Sequence, residues 1–237
     1  LIKLLTNNIY ISTIEINDGM INLYKSDQHT NFNIFKSTSS DVDLNKKIFN
    51  RIKIFNSDFK YSELQKNNKI FFNIQDLDIT SKSSNNFYIN GDLYCDDLIF
   101  SKNHLDNKQL YLNGNVNIKK NQIDYKFDEL KIDDLESESV SGNITNWRSF
   151  KIEFDFKKQN FISVRKNCPE YLDYLFKDIS LNSLISFSGN IIKDGESLKN
   201  PRVNIKYLVE DGSIKFDKSK LNLQSIGFTG IVSNGEY

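Results

Sequence analysis

Apolar and polar residues alternate along several stretches of this chain. Phe150-Lys151-Ile152-Glu153-Phe154-Asp155-Phe156-Lys157 places an apolar side chain at every second position and a charge at the others. Leu110-Tyr111-Leu112-Asn113-Gly114-Asn115-Val116-Asn117-Ile118-Lys119 does nearly the same, as do Ile123-Asp124-Tyr125-Lys126-Phe127-Asp128 and Val203-Asn204-Ile205-Lys206-Tyr207. Successive side chains of a strand point to opposite faces, so this spelling predicts strands with one apolar face and one wetted face. Strands are predicted at 69–74, 77–81, 87–94, 98–100, 110–118, 123–127, 130–132, 140–144 and 150–156, all short and of uneven length.

Three segments share a second spelling. Ile14-Glu15-Ile16-Asn17-Asp18-Gly19-Met20-Ile21-Asn22-Leu23-Tyr24, Ile52-Lys53-Ile54-Phe55-Asn56-Ser57-Asp58-Phe59-Lys60-Tyr61 and Ile205-Lys206-Tyr207-Leu208-Val209-Glu210-Asp211-Gly212-Ser213-Ile214-Lys215-Phe216 each read as strand, small-residue turn, strand. That is the signature of a β-hairpin. The copies are unevenly spaced, so they form an architectural repeat without a solenoid period. Gly91 and Gly114 interrupt good alternation and read as bulges or flat spots inside strands. Residues 26–45 are a polar excursion holding the apolar clasp Asn31-Phe32-Asn33-Ile34-Phe35. One helix is predicted. Asn167-Cys168-Pro169-Glu170 supplies a cap, a proline in the first turn and an early acid, and Tyr171, Leu172, Leu175 and Phe176 follow at helical spacing.

Composition agrees with a β-rich chain. Aromatic residues make up 13% of the 237 positions and alanine, the best helix former, is absent. An AT-rich genome, which favours Lys, Asn, Ile and Phe codons, is a second cause of the missing alanine. Lys and Arg number 31, as do Asp and Glu, giving a net charge of +0. Nucleic-acid binding asks for a basic stripe and is not expected. No stretch approaches the roughly 20 apolar residues of a membrane-spanning helix, and no signal peptide is visible. The chain begins at Leu1 in mid-pattern and reads as an excerpt of a longer polypeptide, one β-rich segment over 1–237 with a sub-boundary near 160–180.

Candidate chemistry is sparse. Cys95 and Cys168 cannot build a disulfide framework and have no zinc spacing. His29 and His104 are each expected in a polar loop and assemble no triad or metal site. Ser57-Asp58-Phe59-Lys60 and Ser163-Val164-Arg165-Lys166 match S-x-x-K at the frequency a Ser/Lys-rich chain supplies by chance. No phosphate-cradling glycine loop is present. Asp133, Asp134, Glu136 and Glu138 form an acidic run without calcium-loop spacing, expected at a strand end or loop. Trp147, the sole tryptophan, reads as core or edge packing. The reading is therefore a non-enzymatic protein with no cofactor and no metal.

The order of segments resembles the AsmA-like family of Gram-negative envelope proteins, in a form like that of Bacteroidetes. The likeness is carried by EINDGMINLY at 15–24, NFNIF at 31–35, IKIFNSDFKY at 52–61, the strand-to-helix stretch KIEFDFKKQNFISVRKNCPEYLDYL beginning at Lys151, and the terminal NPRVNIKYLVEDGSIKFDKSKLNLQSIGFTGIVSNGEY beginning at Asn200. It covers essentially the whole chain as hairpin grammar, without an invariant signature. The resemblance implies an extended curled antiparallel sheet forming an apolar groove, with one or two short helices. It also implies a periplasmic location, with an inner-membrane anchor in the parent chain that is not in this sequence. The implied roles are outer-membrane assembly, lipid transport and homeostasis, and regulation of protein targeting to membranes. The implied partners are phospholipid or lipopolysaccharide acyl chains and envelope proteins.

The residue pattern and the resemblance meet at the apolar stripe. Leu110, Leu112, Val116, Ile123, Tyr125, Phe127, Ile152, Phe154 and Phe156 have the cleanest alternation and are the candidate groove lining. The competing expectation is a structural or adhesive β-sandwich whose apolar face is sealed under a second sheet. An outer-membrane barrel also alternates, but the short, uneven predicted strands argue against it.

Overall fold

Twelve strands and one short helix hold nearly all the residues that the computed structural model describes. These are 11–26, 49–63, 68–100, 103–146, 149–167, 179–195, 201–216 and 218–234, without the side chains at 68, 98–100, 103–106 and 179. The chain is mainly β, as its alternation predicts, and it divides into two compact units, Leu1–Ile118 and Lys119–Tyr237. The division falls at the end of a strand.

The first unit contains β1 (Ile11–Asn17), β2 (Met20–Lys25), β3 (Phe49–Glu63), β4 (Asn68–Ser81), β5 (Asn86–Phe100) and β6 (Asn103–Lys119). Their order is β1-β3-β4-β5-β6, with β2 also beside β3. From β3 onward the neighbours are antiparallel. β1 and β2 are not. Both run parallel to β3, β1 along its first half (Ile11 opposite Phe49 to Asn17 opposite Phe55) and β2 along its second (Met20 opposite Asp58 to Lys25 opposite Glu63). The expectation of a wholly antiparallel sheet is corrected here.

The second unit contains β7 (Gln122–Ile132), β8 (Leu135–Thr145), β9 (Ser149–Asn160), the helix α1 (Phe161–Lys166), β10 (Ile179–Lys193), β11 (Arg202–Phe216) and β12 (Leu221–Ser233). The strands follow one another in chain order, all antiparallel. Asp133 and Asp134 make the two-residue turn from β7 to β8, with Asp133 in the left-handed region at φ 53°.

None of the three predicted hairpins exists. Ile52 to Tyr61 lies inside the single strand β3, Ile205 to Phe216 lies inside β11, and Ile14 to Tyr24 spans the collinear β1 and β2. The small residues between the halves are bulges. Asp18, Asn56 and Asp211 take left-handed backbone at φ 52°, 45° and 48°, which Asp and Asn tolerate better than other non-glycine residues. Each bulge adds one residue, so the apolar phase moves from even to odd numbers or the reverse without changing face. In β11 the run Val203, Ile205, Tyr207, Val209 continues as Gly212, Ile214, Phe216, with the register shift falling between Val209 and Gly212.

The bulges in β1–β2 and β3 lie side by side and are laced together. Buried Ser57 donates to the Phe55 carbonyl oxygen at 2.6 Å and accepts from the Gly19 N–H at 3.0 Å. The Asp18 N–H reaches the Phe55 carbonyl at 3.2 Å, and the Asp58 N–H reaches the Gly19 carbonyl at 2.9 Å. Ser137 has the matching role between β7 and β8. Its hydroxyl donates to the Leu130 carbonyl and accepts from the Leu130 N–H, both at 3.0 Å. Two buried serines thus satisfy backbone groups where ladder bonds lapse.

Because predicted neighbours merge across bulges, strands are longer than expected. β3, β5, β10 and β11 have 15 residues and β6 has 17. The expectation of short strands, and the argument against a barrel that leaned on it, does not hold. His104 stands within β6 rather than in a loop.

A helix that the sequence pattern did not predict lies just before the predicted one. α1 starts at the Asn160 cap, whose side-chain oxygen accepts from the Ile162 N–H at 2.9 Å, and ends at Asn167. Asn167, expected to open a helix, closes this one. Its side-chain amide donates to the Ser163 carbonyl at 3.0 Å. Phe161 is buried and seats α1 against β9 and β10. The predicted helix from Cys168 onward, Trp147, His29 and the 31–35 clasp lie outside the described residues.

Candidate functional site

Strand register decides which side chains share a face. In the second unit three cross-strand rows of apolar positions run over the sheet. The first is Tyr125, Gly142, Ile152, Ile191 and Val203. The second is Phe127, Val140, Phe154, Gly189, Ile205 and Val232. The third is Phe156, Phe187, Tyr207 and Gly230. Ile123 stands opposite Ile144 on the same face. All six candidate residues of this unit, Ile123, Tyr125, Phe127, Ile152, Phe154 and Phe156, therefore share one side.

In the first unit Leu110 faces Leu93, Leu112 faces Gly91, and Val116 faces Phe87. Their face continues through Ile89, Ile79 and Ile52 to Ile14, and through Leu77 and Ile54 to Ile16. The three candidates of this unit share that side.

Aromatic side chains meet on the second unit's apolar face. Phe156 stacks on Phe187 with ring centroids 4.6 Å apart, and Phe154 meets both edge-on at 6.0 and 6.2 Å. Tyr125 and Phe127 lie 5.9 Å apart. Val140, Phe156 and Val209 are buried, whereas Phe127, Ile152 and Phe154 keep partial exposure. Among the described residues of each unit, elements touch their neighbours in the strand order, and α1 touches β9 and β10; no second sheet lies over either face.

Glycines occupy apolar positions in these rows for a steric reason. A Cβ added at Gly142 would strike the Lys151 carbonyl oxygen and the Tyr125 hydroxyl; at Gly189, the Asn204 carbonyl oxygen; at Gly91, the Asp76 carbonyl oxygen and Leu77. The neighbouring strand passes close on the apolar side at each point. Tyr207 covers Gly230 with its ring, and Tyr125 covers Gly142, the pairing in which an aromatic residue shields a glycine across a ladder. The sequence carried this signal. Ser141-Gly142-Asn143-Ile144 and Ser188-Gly189-Asn190-Ile191 repeat one spelling, and Gly91 and Gly114 sit in the same polar-Gly-polar frame. Gly91 and Gly114 indeed lie inside strands, in regular register with each other's strand. Phe187 and Phe228 were missed because serine and glycine break the alternation around them, whereas Tyr207 stands in the clean run Val203–Tyr207 and was legible.

The opposite face is ionic. Arg51 Nε donates to both Asp78 carboxylate oxygens at 2.9 and 2.8 Å, and its Nη2 makes a further short contact. Lys119 pairs with Asp124 at 2.8 Å, Lys151 with Glu153 at 2.8 Å, and Lys157 with Glu136 at 3.1 Å. The recesses of the second unit also lie on this side, one over Ser139, Ser141, Asp155 and Ser188 and the other where Leu208 and Ile231 stand beside Lys206. Among the described residues no cluster of His, Cys, Asp and Glu could hold a metal ion.

These surroundings shift several protons. The hydrogen bond from Arg51 holds the Asp78 carboxyl below 3.8, that from Lys119 does the same for Asp124, and that from Lys157 holds Glu136 below 4.5. Each folded-state pKa is depressed, so the contribution is complete above the ordinary carboxylate values and is lost as pH falls through the folded values. The pairs are exposed and their effect is small. Tyr125 behaves oppositely: burial raises its phenol above 10.0. Its folded form keeps the proton longer than the unfolded chain, so stability falls as pH rises beyond 10. Tyr125→Phe is expected to flatten that alkaline loss and to remove one late-titrating phenol from the absorbance titration. An unchanged alkaline limb would place the sensitive tyrosine elsewhere.

No protein family, characterised protein or solved structure matches this chain. The class that fold and face define is a mainly β chain whose sheets are apolar on one side and ionic on the other.

Proposed function

We propose that this chain is a non-enzymatic segment of an AsmA-like envelope protein that holds lipid acyl chains against its apolar face. The observation that carries the reading is the register: all nine candidate side chains fall on the apolar face of their own unit. Each acyl methylene taken from water contributes about 0.8 kcal/mol, with no chemistry required. Exposed parts of Phe127, Ile152 and Phe154 would line the track, and the ionic face would remain in water. The glycine positions supply curvature under this reading. Glycine kinks and bulges are the devices by which sheets bend, and a bend toward the apolar side makes a trough. The lipids served are phospholipid or lipopolysaccharide, in the periplasm, with membrane attachment through a part of the parent chain. The work would be lipid transport and homeostasis, outer-membrane assembly and the regulation of protein targeting to membranes, with envelope proteins as partners.

The test is photocrosslinking from benzophenone probes at Phe154 and, as a control on the ionic face, at Glu153, in protein taken from a bacterial envelope extract. Lipid adducts at Phe154 and none at Glu153 are expected, together with lipid retained in native mass spectrometry. Equal labelling at both positions, or no lipid at either, overturns the proposal in favour of a structural sheet sealed by other parts of the protein.

A further inference from the structure

The ionic face of the second unit has a break in its pairing. Along β9, Lys151 pairs with Glu153 at 2.8 Å, Lys157 with Glu136 at 3.1 Å, and Lys158 with Glu210 on β11. On β11, Arg202 reaches Asp194 at 3.5 Å. Asp155 and Lys206 stand in the midst of these groups, and among the described residues neither has an ion-pair partner or a side-chain hydrogen bond. Register puts both in one cross-strand row, Ser139–Asp155–Ser188–Lys206. Strand β10 separates the two charges, so their backbones lie about 10 Å apart, two strand spacings. The row is the shared wall of both recesses on this face: Asp155, Ser188 and Lys206 line each of them. The recess toward β8 has a volume of about 380 Å³, within the range of small-molecule sites. Serine makes the space, because Ser139 and Ser188 are short and leave a floor of hydroxyls between the longer Asp155 and Lys206.

We propose that this row seats a small soluble molecule carrying an ammonium and a phosphate on a two-carbon link, the chemistry of phosphoethanolamine. Asp155 takes the ammonium, with the Ser139 hydroxyl oxygen accepting beside it. Lys206 takes the phosphate, and the Ser188 hydroxyl donates to it. Three features select this class. Opposite unpaired charges ask for a dipolar guest, since a simple cation or anion satisfies one and is repelled by the other. The intervening strand excludes an α-amino acid, whose two charges are joined through a single carbon and cannot touch both side chains. A phosphate spreads its charge over three acceptor oxygens, enough for Lys206 and Ser188 together. The inference goes beyond the acyl-chain reading and does not rest on it: the row lies on the ionic face, and a sheet that never meets lipid keeps it.

The test is calorimetric titration of the full chain with O-phosphoethanolamine up to about 10 mM. Saturable binding is expected, with ethanolamine, inorganic phosphate and glycine each binding about tenfold more weakly because none engages both charges. Asp155→Asn and Lys206→Gln are each expected to weaken binding by about fivefold, the upper range for an exposed charge pair. The charge-swapped variant Asp155→Lys/Lys206→Asp is expected to recover it, with the guest reversed. Lys151→Gln, which removes a paired lysine of the same face, should leave it unchanged. No binding at 10 mM, equal binding of the separate halves, or single variants that bind as the unaltered chain does each overturns the proposal, as does a swapped pair no better than the singles. Vesicles of phosphatidylethanolamine are the last arm: binding to them alone, with none of the free compound, makes the guest a lipid headgroup and overturns its assignment as a soluble molecule.

Discussion

Gly142→Val is expected to destabilise the chain by about 3 kcal/mol or to prevent folding of its second unit. A side chain there has no outlet. The Lys151 carbonyl oxygen, a backbone atom of the next strand, occupies the space a Cβ would take, and the Tyr125 hydroxyl closes the other side. Relief requires β8 and β9 to move apart, which breaks ladder bonds. Gly227→Val is the control, since a Cβ there meets only the Val209 carbonyl oxygen at an ordinary 3.6 Å. It should cost less than about 0.5 kcal/mol. Urea midpoints of the two variants measure the difference; equal midpoints would show that β8 and β9 have slack at Gly142.

Phe156 and Phe154 are expected to separate stability from binding. Phe156 is buried and stacked on Phe187, so Phe156→Ala should cost about 3 kcal/mol, the ordinary loss for a buried phenylalanine. Phe154, two residues back on the same face, is partly exposed and meets its neighbours edge-on. Phe154→Ala should cost about 1 kcal/mol in stability. Its loss should instead weaken retention of an acyl chain by about tenfold, the equivalent of roughly 1.4 kcal/mol. Urea denaturation and lipid retention by native mass spectrometry are to be read on both variants. A Phe154→Ala protein that keeps its lipid unchanged would place the acyl track off the aromatic cluster.

The faces were legible and the turns were not. Alternation is a local property: Ile152, Phe154 and Phe156 share a side because a strand has a period of two, whatever lies beside it. The candidates of any one strand could therefore be assigned to one side without a pairing, whereas the register was needed to bring the sides of different strands together. Turn and bulge, by contrast, use the same residues. Asp-Gly and Asn-Ser supply left-handed backbone for either, and the difference lies in whether the chain reverses or slips by one residue. In Asn56-Ser57 the deciding contacts come from Gly19, 38 residues away, so no window around Asn56 contains them. The parallel placement of β1 and β2 on β3 is similarly non-local. The described helix went unread because its start rests on Asn160 as a cap and on Phe161, whose ring is buried beside β9 and β10, and the burial against β10 is not local to the sequence.

The left-handed positions at Asp18, Asn56 and Asp211 carry an evolutionary corollary. A single-codon deletion elsewhere in a strand would turn every residue beyond it inside out. Removing one of these three would not, because each already absorbs one surplus residue: without it the apolar positions on either side stand two apart and keep their face. Conversely, a strand of this type can lengthen by one codon wherever an Asp, Asn or Gly is ready to take up the slip. Long strands such as β3 and β11 then read as two older short ones joined in frame by such an insertion, and homologous chains should gain or lose residues at these three points in preference to any other strand position.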